Sequence, residues 1–250
     1  RMKFSVSVMS YILFLYFFKN GIGDAGEWIV GGLESKVIAY SFCIFSLALF
    51  LKGKSKQGFL FAGLSLSTHL LVGTYHLICL IPLILFKLNK KDISFKTLIF
   101  GMFFFSITAI VGISEIVNSL SSNINEITQK KGWDIYVNIR VPHHVIPDFS
   151  IQTWIKISIL TVLAILFTKS KSQSNRLIAQ YALSSVLIII IGFAIYNFCE
   201  SHYMRYYFFR FSDVMLPLIV LLLLGSYNNL MKNIYFFLGL IVFTIVAQKN

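Results

Sequence analysis

The sequence predicts an all-α, polytopic transmembrane helical bundle of about nine spans, and three observations predict it. Of 250 residues, 57% are hydrophobic and only 13% charged, with a mean hydropathy of +0.77; a water-soluble domain of that composition would carry an aggregating surface. Apolar blocks of about fifteen residues or more alternate with short charged connectors, close to the roughly 20 residues a helix needs to cross ~30 Å of hydrocarbon. The stretch 184–194 reads SSVLIIIIGFA, without the apolar/polar alternation that a membrane β-strand requires.

In chain order, block 4–18 follows Arg1 and Lys3. Block 37–51 opens after Glu34 and Lys36 and closes on Lys52, Lys54 and Lys56. Blocks 59–72 and 74–88 are divided at Gly73 and read either as two short spans or as one re-entrant hairpin. They close on Lys87, Lys90 and Lys91. Block 97–117 starts beside Lys96 and leads into the longest connector, 118–153. Block 154–168 closes on Lys169, Lys171 and Arg176, and block 180–198 leads to an aromatic and Arg-rich connector. Blocks 212–225 and 234–247 flank Lys232. Several of these cores are short for a crossing, so they must borrow flanking residues, thin the bilayer or lie among neighbours.

Lys and Arg crowd alternate connectors, accompanied there by the single acid Asp92. Those connectors are expected on the cytoplasmic side, and connector 118–153 on the external one. The formal net charge of +12 therefore orients the chain and does not indicate nucleic acid. Residues 1–250 read as one membrane domain. The chain starts on Arg1, and the expectation is a fragment with sequence missing upstream. Cys43, Cys79 and Cys199 are too scattered for a disulfide framework or a zinc knuckle.

Four polar clusters fall on the expected external side. The first, GDAGEWIVGGLESK, holds Asp24, Glu27, Glu34 and Lys36. A carboxylate at a span end can act as general base toward a sugar or lipid hydroxyl, and Lys36 can pair with Glu34 or with a phosphate. A solvated turn is the plain alternative. The second, THLLVGTYH, places His69 and His76 either on one helical face or across a turn at Gly73. Interfacial histidines bonded to backbone or headgroups are the alternative there.

The third cluster, RVPHHVIPDF, fixes His143 and His144 between Pro142 and Pro147, with Arg140 supplying a permanent charge suited to phosphate. Two adjacent histidines do not make a metal site unaided, so no metal is assigned. The fourth, ESHYMRYYFFRFSD, interleaves Arg205 and Arg210 with aromatics and ends on Asp213, three residues after Arg210. It reads as an interfacial belt, a structural Arg–Asp pair, or a site for an anionic headgroup at a helix start. The chain has no Walker A loop, dinucleotide fingerprint, HExxH or nucleophile elbow, so no nucleotide cofactor is expected.

The segment GGLESK with the following FAGLSLSTHLLVG, together with RVPHH and FRFSD, resembles a family of bacterial polytopic membrane proteins similar to the glycosyltransferases of the type C fold. The resemblance rests on Gly31, Gly32, Glu34, Lys36, His69, Gly73, Arg140, His143, His144, Arg210 and Asp213. It implies a bacterial plasma-membrane enzyme that takes a sugar from a polyprenyl-phosphate carrier and passes it to a glycan or protein acceptor outside the membrane. It further implies an acidic base in the first external loop and basic residues on the lipid phosphate. The tandem acids of that loop in better-known branches are not evident here; Asp24, Glu27 and Glu34 stand in their place. The alternatives from other classes are a transporter or flippase for lipid-linked glycans and a non-catalytic assembly subunit.

Overall fold

The computed structural model describes residues 34–120, 126–147 and 149–226. Blocks 4–18 and 234–247, and the candidate residues Asp24 and Glu27, lie outside them. The chain is all-helical, 87% helix with no strand among the described residues. These residues group into two compact units, 34–136 and 137–226.

The first unit comprises α1 (Ser35–Leu51), α2 (Ser55–Thr68), α3 (Leu70–Asn89), α4 (Phe95–Thr108), α5 (Ile110–Leu120) and α6 (Glu126–Ile135). Its organising element is α2, SKQGFLFAGLSLST, which packs against α1, α3, α4 and α5. Small residues on α2 and its neighbours let backbones approach closely, which is how helices associate where burial from water gives no drive. A side chain at Gly63 would run into Thr108 Oγ1 and the Phe105 carbonyl, and one at Gly58 into the Phe50 ring. Hydroxyls fasten the same contacts. Ser46 donates to the Gly58 carbonyl at 2.8 Å and Ser65 to the Ala39 carbonyl at 3.2 Å. Gly63→Ala is expected to lower stability by about 1–3 kcal/mol, the usual range for overpacking. Thermal unfolding in detergent micelles measures it, and an unchanged midpoint refutes the packing account.

The expected division at Gly73 is corrected. The helix breaks four residues earlier, at His69, whose backbone is extended (φ −152°, ψ 108°) and whose ring caps α3. Gly73 lies inside α3, where any side chain would strike the backbone of Leu66 on α2. Its role is close packing, not turning.

Block 97–117, expected as one span, consists of two helices. Helices α4 and α5 meet at Ala109 with a bend of 66°. In an uninterrupted helix the Gly112 N–H would donate to the Thr108 carbonyl. Here the Ser67 hydroxyl of α2 stands between them, donating to Thr108 O at 2.7 Å and accepting from Gly112 N–H at 3.3 Å. A side chain inserted into the ladder is a sufficient cause for a sharp kink.

The second unit comprises a π turn (Tyr136–Arg140) that begins at its boundary, α7 (Pro142–Val145), α8 (Ile151–Thr168), α9 (Gln173–Phe198), a 3₁₀ turn (Ser201–Tyr206) and α10 (Phe208–Ser226). Connector 118–153 thus carries regular helix along much of its length. Ser150 and Ser172 cap α8 and α9 by accepting the N–H of Thr153 and Asn175. Helix α10 packs on both α8 and α9; Ser212 donates to the Ser185 carbonyl at 2.6 Å, while Phe167, Ala179 and Leu223 close the far end.

Among the described residues four helices are long and apolar enough to cross a membrane: Leu70–Asn89, Ile151–Thr168, Gln173–Phe198 and the run Ser201–Leu224. Counted as one span, the bent α4–α5 pair makes a fifth. Helix α1 has 17 residues and α2 has 14, so the described residues hold four or five candidate spans where seven blocks were expected. Hydropathy alone counts α2 as a crossing because its residues are apolar; in the fold its short length is used for packing.

Candidate functional site

Each unit gathers polar side chains at one helix end. In the first unit this is the end where α1 and α3 begin. Lys36 Nζ lies 3.0 Å from Glu34 Oε2, with the lysine side chain 10% and the glutamate 45% exposed. The expected pairing forms. An ion pair open to water on one side is worth about 0–1 kcal/mol, so Glu34→Gln is expected to leave the unfolding midpoint nearly unchanged. A large fall would show that Glu34 is structural.

His69 Nδ1 accepts the Val72 N–H at 3.3 Å, the backbone-bonded alternative for this residue. His76 is fully buried within α3 beside the buried Tyr75. The two imidazoles have different work, one capping a helix and the other sitting inside the unit. Lys36 and Tyr40 on α1 are buried as well, and α1 packs against α3.

In the second unit the polar end is where α8 and α10 begin and α9 finishes. Pro142 opens α7 at a position where a missing N–H costs nothing. Helix α7, which carries His143 and His144, packs against both the 3₁₀ turn and α10. Asn138 Nδ2 donates to Ser201 Oγ at 3.3 Å, tying the π turn that ends on Arg140 to the same place. The third and fourth sequence clusters, some sixty residues apart, therefore converge.

Within the 3₁₀ turn His202 Nδ1 lies 3.3 Å from Glu200 Oε2. Tyr207 then adopts a left-handed conformation, φ 52° and ψ 49°, uncommon for a bulky side chain and a recurrent sign of a functional turn. Its ring is buried and lies beneath the Arg210 guanidinium, 4.3 Å from centroid to Cζ. Asp213 is fully buried one turn further along α10.

Four rings cover this end. Phe149, Trp154 of α8, Phe193 of α9 and Phe209 of α10 have centroids 4.9–5.6 Å apart in the pairs that touch. Gly192 makes room, since a side chain there would meet Phe208 and Phe209. Lys156, on the α8 turn that carries Trp154, is buried.

The second unit thus carries Arg140, Lys156, Arg205 and Arg210 with Glu200 and Asp213 in the segments named above, an excess of fixed cations suited to an anion. Lys156 and Tyr207 were missed in the sequence reading. A lysine inside an apolar block was the available signal for the first; the second had none, because left-handed backbone at Tyr is set by context. Glu34, Lys36, His69 and His76 belong to one unit, Arg140, His143, His144, Arg210 and Asp213 to the other. Among the described residues no three His, Cys, Asp or Glu side chains are grouped to hold a metal. No family model, curated protein or solved structure matches the chain.

Proposed function

We propose that the protein is an integral-membrane glycosyltransferase of the type C kind that uses a polyprenyl-phosphate-linked sugar at the extracytoplasmic face of a bacterial plasma membrane. The observation that carries this reading is the convergence of the Arg140 segment, α7, the 3₁₀ turn and the start of α10. In the reaction the bond from the anomeric carbon to the carrier phosphate breaks and one to an acceptor oxygen forms. The acceptor proton passes to a carboxylate base, and the lipid phosphate departs. In the second unit Arg140 and Arg210, with His143 and His144, are the proposed phosphate ligands, and in the first unit Lys36 is a separate candidate; fixed cations in a site of low dielectric stabilise such a leaving group best. Glu34 is the proposed base, with Asp24 and Glu27 as its alternatives; His69 and His76 are proposed substrate contacts of the first unit, and Asp213 of the second. No nucleotide cofactor or metal is invoked.

The test uses the protein in lipid nanodiscs with a panel of polyprenyl-phosphate sugars and candidate glycan acceptors, read by mass spectrometry of the lipid. Turnover of one carrier that Glu34→Gln and Arg140→Ala each reduce at least 100-fold supports the reading. Carrier binding without turnover for every acceptor rejects it.

A second reading, a transporter or flippase for a lipid-linked glycan, is favoured by the bent α4–α5 helix, because discontinuous spans recur where transporters bind their cargo. Leaflet-to-leaflet movement of a fluorescent polyprenyl-phosphate sugar in proteoliposomes would select it. A non-catalytic assembly subunit predicts neither turnover nor movement.

A further inference from the structure

We infer that α5 is an interfacial helix whose apolar face lies in the headgroup and acyl boundary of the bilayer, with α4 rising to it through the hydrocarbon. The first observation is length. Helix α4 has 14 residues, roughly 21 Å at ~1.5 Å per residue, too short to cross about 30 Å alone. Helix α5 has 11 residues, about 16 Å, and its 66° bend leaves it roughly 7 Å of rise along the α4 axis. Together they climb about 28 Å, so the chain reaches the far boundary of the hydrocarbon only along α5.

The second observation is the surface of α5. At 100° per residue Ile110, Ile113, Ile116 and Val117 occupy one side, and Ser114, Glu115 and Asn118 the other, with Val111, 59% exposed, as the one apolar residue among them. The apolar members are exposed: Ile110 64%, Ile113 39%, Ile116 37% and Val117 56%. Gly112 faces neither side; it is buried against Leu66 of α2. An apolar stripe left uncovered beside a carboxylate and two small polar groups is the pattern of a helix lying in an interface plane.

The third observation commits the occupant. The uncovered stripe continues the exposed apolar surface of α4, where Phe100, Met102, Phe103 and Ile107 are 43–58% exposed. A surface that is apolar on α4 and becomes two-sided only after the bend matches a lipid environment that changes from hydrocarbon to headgroup along α5. The bend itself is held by Ser67.

The experiment places nitroxide labels singly at Ile113, Val117, Glu115 and Asn118 of the full chain in nanodiscs, in a Cys199→Ser background because Cys199 is exposed while Cys43 and Cys79 are buried. Accessibility to oxygen and to a water-soluble nickel chelate then gives depth. Labels at Ile113 and Val117 are expected to favour oxygen, and those at Glu115 and Asn118 nickel. The depths at 113 and 117 should differ by about 2–3 Å, where a helix continuing along α4 would give about 6 Å. A difference near the larger value overturns the inference, as does uniform nickel accessibility. Protection of Ile113 and Val117 from both reagents shows a protein partner on the face and overturns it too. Thermal midpoints of the four labelled proteins show that each is folded.

Discussion

Gly73→Leu is expected to abolish folding of the 34–136 unit, or to lower its unfolding midpoint further than any other single change on α3. The atoms facing Gly73 are the Cα and N of Leu66. Backbone cannot rotate out of the way as a side chain can, so the helices must separate. Overpacking by one or two carbons costs about 1–3 kcal/mol, and Leu adds four at a place with room for none. Gly73→Ala should fall in that range. Gly132 supplies the control, since nothing lies within 4 Å of where its Cβ would be; Gly132→Ala is expected to change little. Thermal unfolding and size-exclusion profiles in detergent report all three. A Gly73→Leu protein as stable as the parent would disprove the α2–α3 contact.

Ser67→Ala should either straighten the α4–α5 bend or destabilise the unit, and the two results are separable. Without the hydroxyl, the Thr108 carbonyl and Gly112 N–H lose the group that joins them. If they pair with each other, the helix extends through Ala109 and two labels, at Met102 and Val117, move apart in a spin–spin distance measurement. Should the bend persist, each polar group left unpaired costs about 1–3 kcal/mol, and the midpoint falls. Ser67→Thr keeps the hydroxyl and is expected to restore distance and midpoint. Ser67→Ala with neither changed removes Ser67 as the cause of the bend.

The polar ends of the two units were partly legible in the sequence. The Glu34–Lys36 pair follows from two residues of opposite charge at the opening of a span, where a short separation nearly obliges them to meet. The RVPHH and FRFSD segments stand out because Arg, His and Asp are costly beside apolar blocks and therefore conspicuous. Their convergence was not legible, since it is made by packing of α7 on the 3₁₀ turn and α10. Lys156 was visible as a residue but not as a buried one; a charged side chain near a span end reads equally well as snorkelling to water.

By itself, the sequence determined the helical class, the membrane-crossing character and the approximate position of most apolar segments. These follow from composition and from the length of apolar runs, which are properties of the chain in one dimension. Tertiary structure alone decided which runs form helices long enough to be candidate spans. The α2 run is apolar because it faces other helices, and hydropathy does not distinguish a neighbour from lipid. It also decided that the chain turns at His69 and that Gly73 serves packing, because a glycine allows both a turn and a close approach and only the partner across the contact selects between them. The bend at Ala109 arises in the same way: nothing in 97–117 breaks a helix, and the group that breaks it, the Ser67 hydroxyl, comes from another helix some forty residues earlier.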